Sequence, residues 1–246
     1  MRLDLCSWQE VQAYLGQRTD IILPMGSHEQ HGPNGLIGTD AICPEIVARS
    51  FGERDSVMIG PTLGIGVAQH HLGFTGSIAL RPTTLIAVIR DVVASLTRHG
   101  FSRLHFHNGH GGNIATVQAA FAEIYGEYSF RGEPAPMHLR LGNWFMGRRV
   151  MSLTRELYGA SNGQHATANE VALTYHAHPD QMKSVTMSPQ VAPTGRFRDA
   201  ADYRARFADG RMGSDPSRAT PEDGARLLEA AVEDLRESHR DFVAGG

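Results

Sequence analysis

Apolar and polar residues fall in alternating blocks along this chain, and the blocks predict helices and strands in turn. Ser7 with Glu10 three positions on fits a capping box, opening a helix that ends near Arg18. Residues 20–25, DIILPM, form an apolar run suited to a strand buried on both faces. Turn-forming residues follow as far as Asp40. A helix is predicted over 41–51, where Pro44 is tolerable because it sits in the first turn. A second strand is predicted over 56–60. Residues 61–76 are rich in Gly and His and carry no period, so they read as a functional loop, and 77–80 read as a short strand. Leu85, Ile89, Val92 and Leu96 repeat at helical spacing and mark a helix over 84–99, which Gly100 ends. A strand over 103–108, a glycine-rich turn over 109–112 and a helix over 113–125 come next. Then follow a strand over 137–141, a helix reaching about Tyr158 and a helix over 168–176. Residues 178–219 are polar and aperiodic, and are expected to wrap the body or a neighbouring subunit. Thr220, Pro221, Glu222 and Asp223 open a last helix as N-cap, N1 proline and first-turn acids.

Strands spaced by helices imply βαβ units and a largely parallel sheet covered on both faces, an α/β fold. With no internal repeat and no linker, residues 1–246 are expected to form one domain. Hydrophobic residues make up 41% of the chain, enough for a sizeable core. A net charge of −3 supplies none of the basic excess that a nucleic-acid backbone requires. No window approaches the ~18 consecutive apolar residues of a membrane span, and no signal peptide is evident at the N-terminus. Cys6 and Cys43 are too few for a disulfide framework, and a reducing cytoplasm is the expected setting.

In folds of this kind, sites lie beyond the carboxyl ends of strands. Three loops qualify, 26–40, 61–76 and 109–113, and all are rich in Gly and His. In the first, Glu29, His31 and Asp40 offer the oxygen and nitrogen donors that zinc, manganese or iron accept. Glu29 and His31 lie two apart, so an extended backbone points both the same way. The bland alternative makes them solvated loop residues and Asp40 an N-cap. In the third, His110 stands among glycines where a strand meets a helix. A phosphate-binding turn is the rival there, but neither GxGxxG nor a Walker lysine is present. His107, on the strand, reads as a buried, hydrogen-bonded histidine. In HATANE, 165–170, Thr167 and Glu170 fit a capping box, which would make Glu170 purely structural.

Taken together, LPMGSHEQHGPNGLIGTD (23–40), HHLGFTGSIAL (70–80), HNGHGGN (107–113) and HATANE (165–170) resemble the creatininase family in order and spacing. The resemblance implies a three-layer α/β/α fold, two divalent metal ions (zinc, or else manganese or iron) and a homo-oligomer such as a hexamer. It also implies hydrolysis of a C–N bond in a small cyclic amide by metal-activated water. Glu29, His31 and His110 would be ligands, Asp40 would bridge both ions, and His165 would be the catalytic histidine. Gly111 and Asn162 would meet substrate. The sequence departs from creatininase proper at three places. Gly112 stands where a glutamate ligand is expected, Ala68 where a serine is, and Ser161 and Asn162 where aromatic and acidic substrate contacts are. Creatinine is therefore a doubtful substrate. A formamide deformylase or peptide-processing hydrolase of the same family is the alternative, and a non-catalytic metal or phosphate binder is the alternative of another class. Glu170 is the candidate to replace the missing ligand.

Overall fold

β1, Asp20–Met25, is apolar on both faces because both faces are covered, and all six of its residues are buried in the computed structural model. It pairs in parallel with β2, Met58–Ile59, on one side. On the other it pairs with β3, Arg103–Asn108, over six residues from Asp20–Arg103 to Met25–Asn108. β3 pairs in parallel with β4, His138–Asn143, giving the order β2-β1-β3-β4. The structure describes residues 1–245; Gly246, the end of the expected domain, lies outside them.

Helices close both faces of this sheet. Under one face lie α1 (Trp8–Leu15), α3 (Pro82–Arg98) and α4 (Ile114–Arg131), packed on Ile21, Leu23, Leu104 and Phe106. Over the other lie α2 (Thr39–Asp55), α5 (Arg148–Tyr158), α6 (Ala168–Ala177) and α8 (Pro221–Ala244), sharing a core with Ile22 and Ile59. The result is the expected three-layer α/β/α sandwich. In α3 the fully buried positions are Leu85, Ile89 and Val93, with Val92 and Leu96 at the edge of the core. Thr220 caps α8 by accepting from the Asp223 amide at 3.1 Å, as its sequence predicts.

Three expectations change. Residues 77–80 form no strand: Ile78 makes a single antiparallel bridge to His28, because the loop crosses the strand ends instead of joining the sheet. The second helix starts at Thr39, so Asp40 lies in its first turn. Residues 178–219 are not wholly irregular, since α7 (Ala200–Arg206) forms within them. This segment wraps its own body. Arg211 is fully buried and donates to the carbonyls of Pro189, Gln190 and Ser214, so one guanidinium ties residues 189–190 to residues 211–214 of the excursion.

Gly26 and Gly109, just past β1 and β3, let α2 start between the two strand ends. A Cβ on either would lie 2.0 Å from the Asp40 carbonyl oxygen. Since that neighbour is backbone, Gly109→Ala must push α2 away. We expect it to cost about 3 kcal/mol, read from urea denaturation. Unchanged stability would show that α2 can retreat freely.

Candidate metal centre

The sheet order reverses between β1 and β3, so the crevice beyond their carboxyl ends is where a ligand site belongs in such a fold. All the expected residues meet there. The loop after β1 brings Glu29 and His31, the first turn of α2 brings Asp40, and the turn after β3 brings His110. The N-terminal turn of α6 brings Glu170, with His165 just before it. Glu29, Asp40 and His110 converge so that one donor atom from each lies within 4.8 Å of the others, and so do His31, Asp40 and Glu170. A third group joins Glu29, His31 and His165. Asp40 belongs to the first two.

Hydrogen bonds fix which atoms face inward. His31 Nδ1 donates to the Glu29 carbonyl at 3.0 Å, so Nε2 points at Asp40 Oδ1, 3.1 Å away, and at Glu170 Oε1, 3.8 Å away. His110 Nε2 donates to the Val67 carbonyl at 3.0 Å, which turns Nδ1 toward Asp40 Oδ2 at 2.8 Å. Both Glu29 carboxylate oxygens and Asp40 Oδ2 are buried without a hydrogen-bond partner. Burial of anionic oxygens in this way is costly unless positive charge lies between them. The histidines register that demand. Burial opposes protonation of His31, but Asp40 and then Glu170 hold its pKa up at about 10. Burial opposes it in His110 too, yet Glu29 and Asp40 hold it at about 9. Burial raises the Glu29 and Glu170 carboxyls. Asp40 resists the same burial because His31 and His110 face it, and it stays well below the usual carboxylate range. A cluster of carboxylate oxygens and imidazole nitrogens aimed at shared points, with orphaned anionic oxygens, suits hard or borderline divalent cations.

Glu170 makes the capping contact and also faces the donor cluster. Its Oε1 accepts from the Thr167 amide at 2.6 Å, the capping contact, while the carboxylate also faces His31 and Asp40. Gly112 is explained by its neighbour. A Cβ there would meet His110 Nε2 at 2.4 Å and the Val67 carbonyl at 2.8 Å, so no side chain fits while His110 holds this pose. Gly111 lies open on the cavity. Asn162 also lines it, but its Oδ1 is spent on the Asn169 amide at 3.0 Å. Ser161 is likewise spent, on the Tyr158 carbonyl at 2.7 Å. His107 corrects an expectation: it is buried, but neither ring nitrogen has a partner.

Residues 4–238 match the family model described as Creatinine amidohydrolase. The chain belongs to the creatininase family. Similar proteins include a creatinine amidohydrolase of Pseudomonas putida, 25% identical over 96% of this chain and 94% of the relative. A mycofactocin precursor peptide peptidase of Mycobacterium ulcerans is 24% identical over 87% and 82%. A 3-dehydro-scyllo-inosose hydrolase of Thermotoga maritima is 28% identical over 68% and 52%. Among solved structures, a manganese creatininase superposes with TM-score 0.84 at 23% identity, covering 98% of this chain and 97% of the other. A zinc–zinc form of a creatininase point mutant matches equally well. These likenesses establish the fold, and family membership makes the protein an amidohydrolase acting on C–N bonds.

Within this creatininase-family site, several contributors carry no sequence signal of their own. Gln30 organises two histidines. Its side-chain amide donates to His71 Nδ1 at 2.9 Å and to the Gly210 carbonyl at 2.9 Å, and its backbone carbonyl accepts from His165 Nε2 at 2.8 Å. His71 Nε2 then faces Glu29 Oε1 at 3.2 Å, and His165 Nδ1 faces the same oxygen at 3.7 Å. Tyr203 packs edge-on against His71 with ring centroids 4.7 Å apart. It comes from α7, in the stretch that lacks periodicity.

The cavity above these groups has a volume of about 740 Å³. Burial, then the neighbouring His71 and His31, push His165 well below its ordinary value, so its ring is neutral at rest.

Proposed function

We propose that this protein hydrolyses an amide other than creatinine, with one divalent cation held by Glu29, Asp40 and His110 and another by His31, Asp40 and Glu170. The observation that carries this reading is the pair of donor groups sharing Asp40, with carboxylate oxygens orphaned between them. Cations at such positions supply Lewis acidity and bring the pKa of water toward neutrality. Zinc or manganese suits the donor set, with iron a third choice.

The chain's own residues do the rest. His31 has one inward nitrogen, and it faces Asp40 Oδ1 at 3.1 Å and Glu170 Oε1 at 3.8 Å. That leaves His165 free for proton traffic. Its Nε2–H is held by the Gln30 carbonyl, so Nδ1 is the lone pair presented to the site. A neutral ring takes a proton as water adds to the amide carbon, and the resulting imidazolium, buried and unstable, gives it to the departing nitrogen. The C–N bond breaks and a carboxylate and an amine are released. Gly111 leaves room for substrate against the backbone, and Asn162 offers its remaining amide hydrogens.

Substrate identity follows from size and lining. A cavity near 740 Å³ is in the range for ligands well above a single small ring. The positions that departed from creatininase, Ala68, Ser161 and Asn162, are buried or already hydrogen-bonded. Creatinine should therefore turn over at least about 10²-fold more slowly than the ~10² s⁻¹ of an efficient enzyme. Assays on metal-loaded protein with and without a chelator test both parts. Chelator-resistant hydrolysis would defeat the metal assignment, and fast creatinine turnover the substrate one.

The same reading places the whole chain as one catalytic domain in the cytoplasm, working on a small molecule as a homo-oligomer, with a hexamer the candidate state. Exposed Ile65, Leu72 and Ile78 on the 61–80 loop support self-association, which sedimentation measures.

A further inference from the structure

The floor of the cavity is carboxylate and imidazole, but its outer wall is built differently. α5 turns Met151, Thr154 and Arg155 toward it, spaced so that one helix face carries all three. Phe145 and Phe197 extend the apolar lining. Arg155 is the only arginine or lysine among the lining residues. Among the described residues no carboxylate lies within ion-pair distance of it. Its neighbours differ: Arg149 is bound by Asp234 and Glu237, and Glu156 pairs with Arg226. Thr154 Oγ1 accepts from Asn169 Nδ2 at 3.2 Å, and Arg155 is the free charged group of this wall.

We infer that the substrate carries a carboxylate beyond its scissile amide, and that Arg155 binds this group while Met151 and Phe145 flank the apolar stretch between the two. This deepens the amide-hydrolase reading and rests on it. A planar guanidinium matches a carboxylate with two parallel hydrogen bonds. A phosphate would call for a second arginine or lysine beside it, and the lining offers none. The rival explanation is that Arg155, in the last turn of α5, only complements the helix dipole. A dipole role predicts no dependence on the substrate's charge.

The test uses N-acetyl dipeptides with an apolar residue, each as the free acid and as the C-terminal amide, titrated calorimetrically into zinc-loaded full-length protein. The wild type should bind the acid at least about 10-fold more tightly than the amide, about 1.4 kcal/mol. R155Q should lose that preference so that acid and amide bind alike, and R155K should keep part of it. Metal content and circular dichroism show that each variant is folded. Equal binding of acid and amide by the wild type, or a preference that survives in R155Q, overturns the proposal. Hydrolysis is followed in parallel. An Arg155-dependent preference without cleavage supports the carboxylate site and counts against amide hydrolysis of these peptides. Cleavage of acid and amide alike does the opposite.

Discussion

Asp40→Asn is expected to release both metal ions and to lower kcat/KM by at least about 10³-fold, roughly 4 kcal/mol. Asp40 is the only residue common to the two donor groups proposed to hold the cations. Its Oδ1 lies 3.1 Å from His31 Nε2 and its Oδ2 lies 2.8 Å from His110 Nδ1, so each oxygen serves a different group. Asparagine keeps the volume and one oxygen but removes the charge that holds two cations close together. It also presents an amide where Oδ2 has no hydrogen-bond partner. The fold should persist, because α2 is held between β1 and β3 by close backbone packing at Gly26 and Gly109, which the substitution does not touch. Metal analysis of the purified variant beside its circular dichroism decides the matter. Two retained equivalents with wild-type turnover would falsify the shared-carboxylate assignment.

Much of this site is legible in the sequence because its donors lie in short motifs at strand ends. The apolar runs 20–25 and 103–108 coincide with β1 and β3, and Glu29, His31, Asp40 and His110 follow them directly. The rest depends on tertiary contacts that no local pattern encodes. Tyr203 reaches His71 from more than a hundred residues away, in a stretch whose order comes from the buried Arg211 clamp. Arg155 sits in an ordinary amphipathic helix, and only the fold reveals that this face lines the cavity. His107 was read as hydrogen-bonded because buried histidines usually are. Its neighbours on β4 and α8 bring no partner to either nitrogen. The strand expected at 77–80 failed because a short apolar run says nothing about whether a sheet edge is within reach.

Glu170→Gln is expected to remove one metal equivalent and to lower turnover by about 10²-fold or more, while changing the stability of the metal-free protein by no more than about 0.5 kcal/mol. Gly112 leaves the His31–Asp40 group one donor short of the three that a catalytic cation usually has, and Glu170 is the donor that the fold brings there. Capping and coordination meet at one atom, since Oε1 accepts from the Thr167 amide and also faces His31 Nε2 at 3.8 Å, and a carboxylate oxygen has lone pairs for both. Glutamine keeps an oxygen for the cap, so α6 should start where it does now. It loses the negative charge, and with it the attraction that, after Asp40, holds the His31 pKa up. The sequence alone would lead a reader to restore the missing ligand at position 112. The structure argues against it, since a side chain there meets the His110 ring. Gly112→Glu in the Glu170→Gln background should therefore fail to recover the lost equivalent. If Glu170→Gln keeps two full equivalents by metal analysis, Glu170 is a helix cap alone.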